Sequence, residues 1–493
     1  FLGTTAESIL FEDGFEFSTL NPEAEPLLTV SVPLGLQMGS NSGSITVKGN
    51  GHSTTGGAFF PLNFNDTATG LKVNQGKTLA LVGNEINLTG GIIRVPGGNI
   101  ELSSISEGIL QFDNSSSSWQ FDASKVQKFG NINLLEKSLL DTSGIITGDI
   151  QLQGRNIILE DASTVIIQNL GTQASGNITL NAIDTIKISD ELRNAPDTVT
   201  PFGNVTGIAL SRLTTETLGT GKAGDIFISG SNLFIKDVGF IVTRSYSEGS
   251  TGSIDVNLGE LIEIDGFSSL NPSLSSAIAT SIFSNGDTQE INVSAKNLNI
   301  LDGGIIASTN YGSGKGGDVQ VDITENLTLS GLNEQTFAPS SIFSTAFRRG
   351  NSGTIIINTS NTSVLSGAAI GTTTLAEGSG GKLTVNASES INVSGSIESS
   401  APVASEIFRQ AARLPDLPSG DSGSLIINTP SLIITDNGVV GVSNQGLGNS
   451  GNLEINTDKI FLDKEASINA FSESGQGGSS ELNIQDYLLL RNN

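Results

Sequence analysis

Two pairs of carboxylates stand close enough in sequence to do chemistry together: Glu263 with Asp265, and Asp318 with Asp322. Each pair falls in a run of alternating apolar residues, so both members share the outward face of a strand. Clustered carboxylates, helped by Ca²⁺ or a basic neighbour, cleave polysaccharides. Outward acids also solvate a β surface, and that plain role fits both pairs. The segments Gly221-Lys222-Ala223-Gly224-Asp225 and Gly314-Lys315-Gly316-Gly317-Asp318 invite a phosphate or metal reading. They lack the four-residue gap and the Lys-Ser/Thr ending of a phosphate loop. They also miss the Gly-Gly-x-Gly-x-Asp spacing of Ca²⁺-binding repeats. Turn chemistry at a corner accounts for them. The single histidine, His52, sits among Gly49, Gly51, Ser53 and Gly56 and reads as a surface-loop residue, so no Ser-His-Asp triad forms. The sequence therefore assigns no catalytic residue, no metal ligand and no cofactor, and leaves binding residues unknown.

The elements that must position these residues repeat. The 28 residues from Gly353 to Gly380 hold three short β-prone runs, with Ile355, Ile357, Val364 and Ile370 as inward positions. The opening recurs at Gly148, Gly176, Gly224, Gly252, Gly317, Gly353, Gly381, Gly423, Gly451 and Gly478, with a weaker copy at Glu290. A short period with insertions marks a solenoid, whose coils bury their apolar edges only by stacking. Residues 77–102 give a more compact version. The inward pairs Ile226/Ile228, Ile254/Val256, Val319/Val321, Ile355/Ile357, Leu383/Val385, Leu425/Ile427 and Leu453/Ile455 should form ladders. The fold class is all-β, with loop insertions and one short inserted helix. The segments are 1–75, less regular; 76–147, irregular coils; and 148–493, regular coils.

The extra residues of the coils from Gly176, Gly252 and Gly317 fall near 190–207, 265–275 and 331–339, between the second and third strands. Those loops should leave one corner. The insertion 401–420 follows the third strand and should leave the next corner. Within it, 404–414 has good helix formers and Pro415 as a stop, with Ile407, Ala411 and Leu414 on one face. Leu27–Leu36 reads as a strand broken by Pro33, Gly43–Val47 as a coil opening, Ser115–Ser118 as a loop beside Trp119, and 126–140 as a strand pair or short helix.

The net charge of −26 excludes nucleic acid and anionic membrane surfaces as partners. No run approaches the ~20 apolar residues of a membrane helix, so no membrane insertion is expected. Cysteine is absent, which suits passage through a narrow pore unfolded. The start at Phe1 and the finish inside a coil suggest a piece of a longer exported protein.

Leu10–Gly39, Gly76–Ser104 and repeats such as Gly448–Gly478 resemble filamentous-haemagglutinin-type exoproteins of two-partner secretion. The resemblance runs along nearly the whole chain. It implies a right-handed parallel β-helix and export through a partner outer-membrane transporter barrel. It also implies an extracellular or outer-membrane-surface location in a Gram-negative bacterium. Phe1–Ala6 looks like the closing part of the family's secretion domain, which makes 1–75 a remnant of that region. Asn21-Pro22 and Asn271-Pro272 lie in the wrong context for its Asn-Pro motif. The expected function is adhesion to an unknown surface receptor or glycan, without enzymatic activity; the alternative is a polysaccharide-active β-helical lyase or hydrolase. Only one Trp and three Tyr are present, few for a stacking sugar platform.

Overall fold

A coil takes its shape from how its apolar runs are separated. In the computed structural model, a polar pair between the first two runs lets one strand, Ile355–Leu365, bend without leaving its ladder. The third run needs a reversal. Ser366 and Gly367 supply it with φ of 53° and 81°, and strand Ala369–Thr374 follows. Paired left-handed residues recur at this corner, as at Asp237/Val238, Asp302/Gly303 and Asp436/Asn437. Two such residues make a tight mirror-image turn, which Asp, Asn and Gly tolerate best. The structure describes all residues except 13, 21–31, 57–59, 64–69, 114–119, 191–209, 269–273 and 492–493.

Stacking is parallel and in register. On the first face Val319, Ile355, Leu383, Leu425 and Leu453 align; on the third, Ile306, Ile342, Ile370, Ile397 and Val440 align. The third face is a sheet of 13 strands. The predicted ladder side chains are all buried, and one aliphatic core runs from Leu79 to Ile460. Fully burying each is worth about 2 kcal/mol, which a coil gains only from its neighbours. The chain is a parallel β-helix. Its last strand, Ser480–Leu490, pairs on one side only, and Leu482 and Leu488 are exposed.

The first third departs from the sequence reading. Strands Ser8–Phe11, Glu16–Ser18, Pro33–Met38 and Gln120–Phe129 join the outer part of Ile100–Asp113 in an antiparallel sheet. It has its own core of Leu36, Met38, Val82, Ile105, Leu110 and Phe112. Pro33 begins a strand rather than breaking one, while residues 27–31, like Ser115–Ser118 and Trp119, lie outside the described residues. Gly43–Val47 does not open a coil. Ile45 and Val47 pair with Ile86 and Leu88 on the second face, and the opening strand of that coil is Leu2–Thr4. Residues 126–140 contain no helix: Asn131–Leu135 and Leu139–Asp141 are parallel coil strands.

The expected helix forms at Glu406–Ala412, capped by Ser405 and ended by Arg413 in the left-handed region. Its expected apolar face does not pack, because Ile407 is 79% exposed. Phe408 makes the contact instead, with its ring centroid 6.2 Å from that of Phe347.

Candidate contact groove

The carboxylate pairs are taken up by the ladders. Asp318 accepts the Thr354 backbone N–H at 2.7 Å, and Asp322 accepts from Asn358 Nδ2 at 2.7 Å and Gln320 Nε2 at 2.9 Å. Asp322 ends a side-chain amide ladder that continues through Asn358, Asn386, Asn428, Asn456 and Asn483 at 2.7–2.8 Å steps. Glu263 pairs with Lys236 at 2.5 Å. Partial burial pushes Asp265 above the usual carboxylate range, and the nearby Asp302 and Glu263 add to this. The two Gly-Lys-x-Gly-Asp segments are corners in which Lys222 and Lys315 reach forward to Asp225 and Asp318, at 2.8 and 3.4 Å. Among the described residues no group of three or more His, Cys, Asp or Glu could hold a metal ion.

His52 is not on the surface. It is buried at the start of a strap in which Thr55 and Asn63 pair antiparallel with each other. Its Nε2 lies 2.8 Å from the Ala162 carbonyl, and its Nδ1 accepts the Thr54 N–H at 3.2 Å. The Nδ1 contact requires the neutral ring with its proton on Nε2, whereas donation from Nε2 to Ala162 on its own favours the charged ring. Burial lowers its pKa to about 4, helped by Arg212, Lys137 and Arg94. Further along this strap, Leu62 N donates to Glu216 Oε2 at 3.1 Å, and Leu62 O accepts from Gln168 Nε2 at 3.0 Å. Leu62 itself packs on Ile92, Leu139 and Ile166.

Insertions leave from two corners, as expected. Ser211, Ser276 and Ser340 each stand just before a third-face strand. Their hydroxyls accept the N–H groups of Ala162, Val238 and Gly303 in the preceding coil, at 2.9–3.1 Å. This clip closes three insertions at one corner. Most of 190–207, and 269–273, lie outside the described residues; loop 331–339 is described throughout. Its Asn333 Oδ1 accepts from Gln335 N and Thr336 N, and Phe337 at its tip is 74% exposed. The insertion after Ala401 leaves from the following corner.

At that following corner a row of rings stacks one per coil. Tyr246, Phe283 and Tyr311 stack with centroids 4.9 Å apart and planes within 5°, and Phe347 follows at 4.4 Å. Each ring follows the last residue of a third-face strand. The signal was present in the sequence: Tyr246 lies 22 residues after Gly224, and Tyr311 lies 21 after Glu290. Because the faces press on each other, the row offers mainly ring edges, which are electropositive. Above it opens a groove of about 1230 Å³, walled by Phe408 and Arg413 of the helical insertion, by Arg348 and Arg349, and by Phe60 of the strap. Glu377 also lines it and is tied to Arg349 at 3.0 Å.

Residues 1–158 match the family model described as the TPS secretion domain. The chain carries the secretion domain of two-partner secretion exoproteins. The match carries the secretion domain well past Phe1–Ala6, read above as its closing part, and past residue 75 into the first regular coil. It takes in the antiparallel sheet and the strap, and it supports the filamentous-haemagglutinin likeness. No curated protein and no solved structure matches the chain. No helix among the described residues is long and apolar enough to cross a membrane.

Proposed function

We propose that this exoprotein is an adhesin of a Gram-negative bacterium. It leaves through an outer-membrane partner barrel and acts at the cell surface or beyond it, on a receptor or glycan. The observation that carries this reading is loop 331–339. A rigid coil presents it, its own Asn333 braces it, and Phe337 is held out in solvent with φ of 58°. Binding residues concentrate on loops set by a rigid scaffold. Strands Val319–Ser330 and Ser341–Ala346 are joined by ten residues, where the next coil turns with the three residues 366–368. Deleting 331–337 leaves 338–340 to make the same turn. The deletion should leave the thermal melt unchanged and weaken attachment to host-cell or glycan-coated surfaces; unchanged attachment would remove this surface from the reading. The alternative, polysaccharide cleavage, draws on Asp265 beside Glu263. Unsaturated or reducing ends released from acidic polysaccharides, and lost in Glu263→Gln, would favour it instead.

A further inference from the structure

The arginines are unevenly placed. The chain carries a net charge of −26 and ten arginines, yet three of them, Arg348, Arg349 and Arg413, line one groove. Arg349 is answered by Glu377, whereas Arg348 and Arg413 are exposed and have no ion-pair partner among the described residues. The floor beneath them is aromatic and electropositive at its edges. Such a groove suits a ligand that combines aromatic rings with carboxylates.

The N-terminal sheet displays that combination. Its hairpin of Ser8–Phe11 and Glu16–Ser18 exposes Phe17 by 61% and Phe15 by 52%, with Glu12 and Glu16 exposed beside them. The hairpin is fixed, because Ser8–Phe11 also pairs with Pro33–Met38. We propose that the groove receives this acidic phenylalanine hairpin from a second copy of the chain. Within one copy the two cannot meet. The coil of Leu2–Thr4 and the coil of Phe283 are six rungs apart, roughly 29 Å at about 4.8 Å per rung. The two surfaces are unlike, so the contact is heterologous: each copy offers one hairpin and one groove, and association runs head to tail. The opposite charges steer the encounter, and salt weakens it.

Complementation tests this. All proteins carry Leu482→Lys and Leu488→Lys, which blunt the exposed last strand as a separate route to association. A hairpin variant carries Phe15→Ser and Phe17→Ser; a groove variant carries Arg348→Glu and Arg413→Glu. Circular-dichroism melts establish that each folds as the parent does. In sedimentation velocity the parent should form species that grow with concentration and shrink with added salt. Each variant alone should stay monomeric. Mixed in equal amounts, they should form one-to-one pairs that grow no further, because only one intact hairpin and one intact groove meet. A monomeric parent up to its solubility limit overturns the proposal. So does a variant that associates like the parent, or a mixture that sediments as two separate monomers. Should a melt show misfolding, Glu12→Arg with Glu16→Arg replaces the hairpin variant and Arg348→Ala the groove variant, with the same outcomes required.

Discussion

Acid should release the strap before it disturbs the rod. In the closed strap the His52 ring accepts from Thr54 and reaches Ala162, so it binds a proton only near pH 4 instead of the ordinary 6.5. The open strap protonates first. Closure is therefore fully stabilised above about pH 6.5, weakens as pH falls toward 4, and changes no further below that. Between pH 7 and pH 5 the linkage amounts to about 2 kcal/mol, or roughly 30-fold in the closing equilibrium. Asp190 works the other way. Burial raises it to about 7, so protonation in the same range favours the folded coil. Its neighbour Ser211 belongs to the rod, so comparison with His52→Gln at matched pH cancels that contribution. The readout is hydrogen exchange at Thr55 and Asn63, whose N–H groups bond across the strap at 3.0 and 2.7 Å. Relative to His52→Gln, the parent should lose about 30-fold in protection on going from pH 7 to pH 5. Equal losses in the two proteins would refute the assignment of a neutral, buried His52.

Two further substitutions probe the rod itself. Ile357 is fully buried between Val321 and Val385, so Ile357→Asp should cost about 5 kcal/mol from the lost side chain and a carboxyl forced neutral; an unchanged thermal melt would contradict the ladder register. Asn386→Leu removes two links of the amide ladder and should cost about 2 kcal/mol, whereas Asp322→Asn keeps an acceptor for Asn358 and should shift stability by less than about 0.5 kcal/mol, both read by denaturant unfolding.

The regular coils were legible because their information is local. Glycine openings, period-two runs and turn residues all lie within 28 residues, and a wrong register would turn Ile355 and Ile357 outward together. The corners of the insertions followed from the same counting. What escaped was decided at long range. The antiparallel sheet pairs residues 35–38 with 108–111, across a stretch with no period to follow. His52 sits in a glycine-rich stretch that reads as exposed, and only Ala162, 110 residues later, makes it buried. The face of the helix was misjudged because nothing local says which side meets Phe347. Ile407 and Phe408 are both apolar, and the ring row selects Phe408.

The helical insertion shows how separable such additions are from the rod. The coil from Gly381 has 42 residues against 28 for the coil from Gly353, a surplus of 14. The rod holds the insertion at its two ends. Val403 N donates to Gln445 Oε1 at 2.9 Å, while Ser419 N and Gly420 N donate to Ala376 O at 2.9 and 2.8 Å. Of the 15 residues between, the 14 of 404–417 contain the helix, and no helix residue is buried. Excising them leaves both sets of anchoring bonds and restores the regular length. Third-face pairing of Ile397 with Val440 does not depend on the helix. Stability in a stacked array is set by rung-to-rung contacts, so the melt of the excised protein should match the parent within about 1 kcal/mol. The groove should change instead, because Phe408 and Arg413 leave its wall and Phe347 loses its cover. Binding of an apolar fluorescent dye at the exposed ring row should rise. A large loss of thermal stability would mean that the helix braces the rod rather than shaping the groove.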